Sequence, residues 1–403
     1  MTRLTPESLH ASPNALAHHY GRFRVSERLL LTGHSHQAWP DVGLDAQQRA
    51  WLDAAEYADD KWDRAFAQAD RVRRGFARLL DDSDGAIALG ANTHELVVRW
   101  LSALPLGRRP RVVTTTGEFH TIRRQLDRLA EERIAVVKVP ALPAATLAER
   151  LAQAVDDHTA AVLASAVLYE SAHIVPDLGG VLAACRRTGT HLLIDAYHAL
   201  DVVPFTLRRT GLAEAFVVGG GYKYCQLGEG NCFLRIPPDC SLRPVITGWF
   251  SEFETLAGGD EGSGLVRYGT GPARFAGATY DPTSNYRAAR VLDFFEELEL
   301  TPELLRRVSQ HQVGLLADRF DALDADPRLI RRDHAARLSE LGGFLALQSP
   351  RAAELCRRLR DRGVATDYRA DVLRLGPAPY LSDEQLSAAM DALGSLVAEL
   401  AAR

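Results

Sequence analysis

Short continuous apolar runs alternate with stretches of helical period through the first part of the chain. The runs are GAIALG (85–90), RVVTTT (111–116), AVVKVP (135–140), AAVLASAVL (160–168), HLLIDA (191–196) and AFVVGG (215–220). Segments such as NTHELVVRWLSAL and EFHTIRRQLDRLAEE separate them, with apolar residues recurring three and four positions apart. A strand that is apolar throughout is buried on both faces, and intervening helices supply right-handed crossovers. The pattern therefore predicts an α/β fold built on a mostly parallel sheet with helices on both sides. Ahead of it, residues 45–80 read as one long amphipathic helix. Beyond SNYRAARVLDFFEELEL the rhythm changes to helix, strand GGFLALQ, helix, strand DVLRLG and a closing helix, which predicts a small α+β domain. The expected organisation is an N-terminal segment, 1–44, packing on the small domain and the active site. A large domain follows over 45–295 and a small C-terminal domain over 296–403.

Composition narrows the function classes. The 403 residues are 46% hydrophobic and 25% charged, with a net charge of −5. That balance gives no general attraction to nucleic acid or to an anionic membrane. No apolar stretch is long enough to span a bilayer, and the first residues lack the apolar core of a signal peptide, so a cytoplasmic location is expected. The five cysteines (Cys185, Cys225, Cys232, Cys240 and Cys356) form no CxxC or other metal-ligand spacing and read as reduced thiols, and no metal is expected.

The chemistry concentrates at strand ends. HLLIDA delivers Asp195, with His198 three residues on, to the edge of the sheet where ligands bind. The next run, in VVGGGYKYCQLGEG (217–230), delivers Lys223 between two tyrosines after three glycines. A carboxylate and a lysine on neighbouring strand ends suit pyridoxal phosphate (PLP). The lysine forms the covalent link, and the carboxylate keeps the pyridine nitrogen protonated. Gly219, Gly220 and Gly221 are expected to let the backbone pass close to the ring. IALGANTHELVV offers a phosphate cradle, with Asn92 and Thr93 opening a helix just after Gly90. Phe119, in TTTGEFHT, offers a ring to stack on the pyridine. Taken singly, Asp195 is an ordinary turn residue, His198 a packed histidine and GANTHE a common helix start; the combination in order is what points to PLP. Neither GxxxxGK[ST] nor a helix-opening GxGxxG is present.

These residues resemble the class V aminotransferase-like family of fold type I PLP enzymes, and within it the kynureninases. The likeness runs over about residues 25–400 as a series of short motifs: LLIDAYHALDVVPFTL, YKYCQLGEGNCFLRI, GWF (248–250), RFAGATYDP and VLRLGPAPYLS. The resemblance implies roles residue by residue. Lys223 is the covalent lysine and the base at Cα, and Tyr222 bonds the phosphate and relays protons. Asp195 pairs with the pyridinium nitrogen, supported by His198. Phe119 stacks on the ring, and Asn92 and Thr93 cap the phosphate. Trp249 and Thr279 reach the phosphate from a neighbouring subunit, which implies a homodimer with shared active sites. Arg374 clamps the substrate α-carboxylate.

Several positions depart from the family pattern. GHSHQAWP keeps Gly33 and Ser35 but introduces His34 and His36, with Ser35 and His34 expected at the substrate. Ile122 stands in place of an aspartate after the stacking Phe119, Tyr169 in place of an asparagine near the cofactor oxygen, and His173 in place of a glycine. The glycine-rich stretch FETLAGGDEGSGLVRYGTG (253–271) is expected as a lid over the substrate.

The reaction implied is hydrolytic Cβ–Cγ cleavage of kynurenine or a related β-acyl amino acid, giving an anthranilate and alanine, as in tryptophan catabolism. An aminotransferase or a lyase of a specialised pathway stays open as the alternative. A catalytically silent scaffold has no chemical need for Lys223, Asp195 and Arg374 together. Desulfurase chemistry needs a loop cysteine, whereas Cys356 falls in a helical stretch.

Overall fold

A computed structural model describes residues 4–83, 85–253 and 264–402. The tip of the expected lid, residues 254–263, lies outside the described residues. After a two-residue strand, β1 (Leu29–Leu30), the apolar runs form the strands they predict. These are β2 (Ala86–Gly90), β3 (Arg111–Thr115), β4 (Ala135–Val139), β5 (Thr159–Ser165), β6 (His191–Asp195) and β7 (Phe216–Gly220), followed by β8 (Cys232–Ile236). They make one sheet in the order β2-β8-β7-β6-β5-β3-β4. Only β8 runs against its neighbours, β2 and β7. The other six strands therefore end along a common edge, while β8 starts there, with Cys232 between Gly90 and Gly220.

Every residue of β5, β7 and β8 is buried, as strands covered on both faces must be. Alternate residues feed two separate cores. Ile194, Val217 and Phe233 face one with Val72, Phe76 and Val181 of flanking helices. Leu193, Phe216, Val218 and Leu234 face the other with Leu96, Trp100, Ile122 and Leu126. The helices on this second face are Thr93–Ser102 and His120–Ala130.

The helix expected over 45–80 is instead two helices, Val42–Tyr57 and Lys61–Leu79, joined by a single tight turn at Ala58–Asp60. Ala58 takes a positive φ of 47°. Asp59, Asp60 and Asp63 then cluster at the second helix start, where the dipole favours carboxylates. Both halves pack on the helix Thr283–Glu297, where Tyr286 donates a 2.8 Å hydrogen bond to Asp53.

The C-terminal part is the α+β unit expected. Strands β9 (Arg331–Arg332), β10 (Leu345–Gln348), β11 (Val364–Ala365), β12 (Asp367–Arg369) and β13 (Val372–Leu375) appear among the helices Pro302–Asp321, Ala352–Asp361 and Asp383–Ala401. Four of them form an antiparallel sheet, β12-β13-β10-β9. The fifth, β11, pairs in parallel with β1, and the pairing continues as a bridge between Thr32 and Gly376. The N-terminal segment is thereby tied to the far end of the chain and led to the sheet edge.

Candidate active site

Lys223 lies just past the end of β7, and its side chain is buried with 7% exposure. Its Nζ has one hydrogen-bond acceptor, the His34 carbonyl, at a long 3.4 Å. Three aromatic rings surround it, with Tyr222, Tyr197 and Phe119 centroids at 5.2, 5.4 and 5.8 Å. Burial pushes the ammonium pKa down to about 7, with Arg374 adding to the effect and Asp195 opposing it. Near neutrality much of this amine is unprotonated, as a nucleophile or base requires.

Within the chain, the glycines before it are closely hemmed in by neighbouring side chains. A Cβ on Gly219 would meet Phe233 at 2.9 Å, one on Gly220 would meet Cys232 and Tyr197 at 2.5 Å, and one on Gly221 would meet Asn231 at 2.2 Å. They make room for the chain's own side chains, which press the turn into place.

Asp195 ends β6, and its Oδ1 accepts the Tyr197 N–H at 2.8 Å. Its second oxygen has no partner among the described residues. The carboxylate keeps some surface in the cleft, yet the surrounding protein desolvates it and pushes its pKa up to about 6. His198 is buried, and among the described residues it has no hydrogen bond to Asp195 and no partner for its Nδ1; burial drives its pKa well down. The ring lies between Tyr224 and Phe344, at 6.3 and 6.0 Å.

Asn92 caps the helix Thr93–Ser102, its side-chain oxygen accepting the Glu95 N–H at 2.9 Å. That helix opens beside Cys232 and Gly220, so its positive end faces the same edge as Lys223. Phe119 occupies the N-cap position of the helix His120–Ala130 and meets Tyr169 edge-on at 5.4 Å. Ile122 is buried in the second core, which explains an apolar residue there. Tyr222 stacks on His36 at 4.8 Å, and burial raises its phenol to about 12, so it stays protonated. Ser35 pairs with the His36 ring at 3.2 Å. His173 instead faces Asp333 at 3.2 Å.

Trp249 and Thr279 are brought together, the indole N–H donating to the threonine hydroxyl at 3.3 Å. Trp249 is 46% exposed, and among the described residues no hydrogen bond or ring contact joins this pair to Lys223 or Asp195. Arg374, on β13, is buried and engaged by Asp367 through two hydrogen bonds and by the Tyr169 carbonyl.

Two residues of this cluster carry no signal in the sequence pattern. Asp367 lies on a three-residue strand too short to show a period. Glu118 is 1% exposed and accepts from Thr115 Oγ1 at 2.6 Å and from Ser165 Oγ at 2.7 Å; burial pushes it up to about 7. Ser165 is the register partner of Asp195, so the two carboxyls share one strand end.

The ensemble fits PLP: among the described residues it joins a buried amine with one long hydrogen bond, a carboxylate with an oxygen left without a partner, an aromatic face and a helix N-terminus on one edge. Cys356 is buried in its helix, with its thiol donating to the Thr366 carbonyl at 3.4 Å and its pKa raised by burial.

Residues 305–393 match the kynureninase C-terminal domain. Over 348 residues the chain is 26% identical to the kynureninase of Pseudomonas fluorescens, covering 82% of this chain and 79% of that one. It is 22% identical over 347 residues to an uncharacterised aminotransferase, YcbU, of Bacillus subtilis (strain 168), covering 86% and 88%. Among solved structures, a C-DES mutant with glycine covalently linked to its PLP cofactor superposes with a TM-score of 0.80. That match has 17% identity and covers 94% of this chain and 98% of the other. Residues 305–393 thus match a kynureninase C-terminal domain, the chain is similar in sequence to kynureninases and to an aminotransferase, and it shares the fold of a PLP-dependent enzyme.

Proposed function

We propose that the protein is a PLP-dependent hydrolase of L-amino acids that cleaves the Cβ–Cγ bond of kynurenine or a related β-acyl amino acid, releasing an anthranilate and alanine. The observation that carries this reading is the buried, near-neutral amine of Lys223 beside Asp195, joined to a C-terminal domain of kynureninase type that brings in Arg374.

Bound PLP supplies an electron sink for the substrate α-carbon. Lys223 would hold the cofactor covalently, and its amine, which burial pushes down to about 7 when free, would serve as the base for the Cα proton. Asp195 would hold the proton on the ring nitrogen, and Phe119 would cover the ring. The helix start at Asn92 and Thr93 would hold the phosphate together with Tyr222. Arg374 fixes the α-carboxylate. Water adds to the γ-carbonyl carbon, the Cβ–Cγ bond breaks, and the acyl fragment leaves as the anthranilate acid. The electron pair left on Cβ would take a proton, relayed by Tyr222 in this reading.

Trp249 and Thr279 serve the phosphate of a second subunit in this reading. Its support is the exposed apolar surface: among the described residues, Val245, Ile246, Trp249, Phe253, Leu265 and Val266 lie close together in sequence and stay exposed. A homodimer would cover them. No described helix is long and apolar enough to cross a membrane. A cytoplasmic place in tryptophan catabolism goes with the proposed substrate. Transamination on the same cofactor is the second reading, favoured by the similarity to the Bacillus subtilis aminotransferase.

The test is to incubate the holoenzyme with L-kynurenine and 3-hydroxykynurenine, following anthranilate fluorescence and alanine by mass spectrometry. Both products together support the hydrolase, and a keto acid in their place supports the aminotransferase. A shift of the cofactor's visible band without products refutes kynurenine cleavage and keeps an α-amino acid as ligand.

A further inference from the structure

Arg374 comes to the site with a carboxylate already in place. It stands directly opposite Asp367 in the β12–β13 ladder, so both side chains share one face. Nε donates to Asp367 Oδ1 at 2.9 Å and Nη2 donates to Oδ2 at 2.6 Å, a parallel two-pronged pairing. Nη1 donates to the Tyr169 carbonyl at 2.6 Å. Asp367 is held from a third side by His34, whose Nε2 is 2.7 Å from Oδ1 and whose ring is fully buried. His34 in turn gives its carbonyl to Lys223. A guanidinium has five N–H donors. Three are engaged here, which leaves one on each terminal nitrogen, a match for the two oxygens of one further carboxylate.

We infer that Asp367, locked by His34, is a positioning residue for substrate recognition: it holds Arg374 by one edge and presents the remaining two donors to a free α-carboxylate. The inference rests on the reading of Arg374 as the carboxylate clamp and adds what aims it. Without Asp367 the guanidinium would be a buried cation lacking its counter-charge, which is strongly disfavoured, and it would turn towards other acceptors. Burial tends to raise the Asp367 pKa, but the hydrogen bonds and charges of His34 and Arg374 hold it well below the usual range. It thus stays a carboxylate at any working pH. The chemical consequence is selectivity: amino acids with a free carboxylate are preferred over their amides or esters, whatever their side chain.

The experiment titrates holoenzyme with L-alanine and with L-alaninamide and reads dissociation constants from the change in the cofactor's visible band. Wild type should bind alanine at least about tenfold more tightly than the amide, the scale of a charge-assisted hydrogen bond. Asp367→Asn should bring the ratio to within about threefold of unity by weakening alanine and leaving the amide alone. His34→Ala should give a smaller loss in the same direction, and it carries the test by itself if Asp367→Asn does not fold. Retention of the full preference in Asp367→Asn, or tighter alanine binding, would overturn the inference. Arg374→Gln separates the two levels. If it loses the preference while Asp367→Asn keeps it, the clamp stands and the positioning role falls; if wild type shows no preference, both fall.

Discussion

Replacing Lys223 by methionine in the cofactor-free protein should stabilise it near neutral pH, and the gain should shrink as pH rises. The native amine titrates at about 7 and an unfolded lysine at 10.5. Between those values the unfolded chain binds a proton that the native chain does not, so native stability rises with pH. The penalty is complete below about pH 7 and gone above the unfolded value. Each unit of displacement is about 1.4 kcal/mol, so the whole is on the order of 5 kcal/mol. Between about pH 7 and pH 9.5 roughly 3 kcal/mol of it should disappear. Urea unfolding of the apo forms of wild type and Lys223→Met at the two pH values measures the change directly. Taking the difference between pH values cancels the altered packing of the methionine. A stability gap that is constant, or that widens with pH, would show that the amine is not held in its neutral form by burial, and the argument for its reactivity would fail with it.

Lys223→Ala should lose the visible band of the covalently held cofactor, seen by absorbance after dialysis with PLP; a mutant that keeps the band would refute the assignment of Lys223. Glu118 has the opposite sign: its carboxyl is raised to about 7, so it favours the native state at low pH and disfavours it as pH climbs from its ordinary value of 4.5 through 7. Glu118→Gln should remove about 3 kcal/mol of that pH dependence in apo unfolding curves measured between about pH 4 and pH 8. Trp249→Ala should raise the dissociation constant for PLP by about tenfold if the indole serves a phosphate across a dimer, with size-exclusion chromatography reporting the assembly. Cys356→Ser should leave product formation unchanged, because this thiol is buried in its helix and donates to the Thr366 carbonyl.

The parts of this site readable from sequence are those carried by strands buried on both faces. Such strands are apolar throughout, and their first polar residue, Asp195, marks where they end. Lys223 follows the same logic one strand later. The parts that escaped depend on register between distant segments. Asp367 meets Arg374 only because β12 folds back on β13, and a three-residue strand has too few positions to alternate. Glu118 sits in a sequence that resembles any polar loop, and its burial follows from the pairing of Ser165 with Asp195. The break at Ala58 was hidden because alanine is an excellent helix former; the three aspartates that restart the helix are its only trace.

The parallel pairing of β1 with β11 also has a consequence in time. Leu29 and Leu30 leave the ribosome early, yet their partners Val364 and Ala365 are made about 330 residues later, a wait of some tens of seconds at about 5–20 residues per second. Throughout that interval the strap that carries His34 to Lys223 has nothing to pair with. The sheet, the lysine and the helix Thr93–Ser102 are complete before the strap pairs, so in the nascent chain the site around the amine stands open. Synthesis of the last forty residues then closes it, and the order of translation becomes the order of assembly.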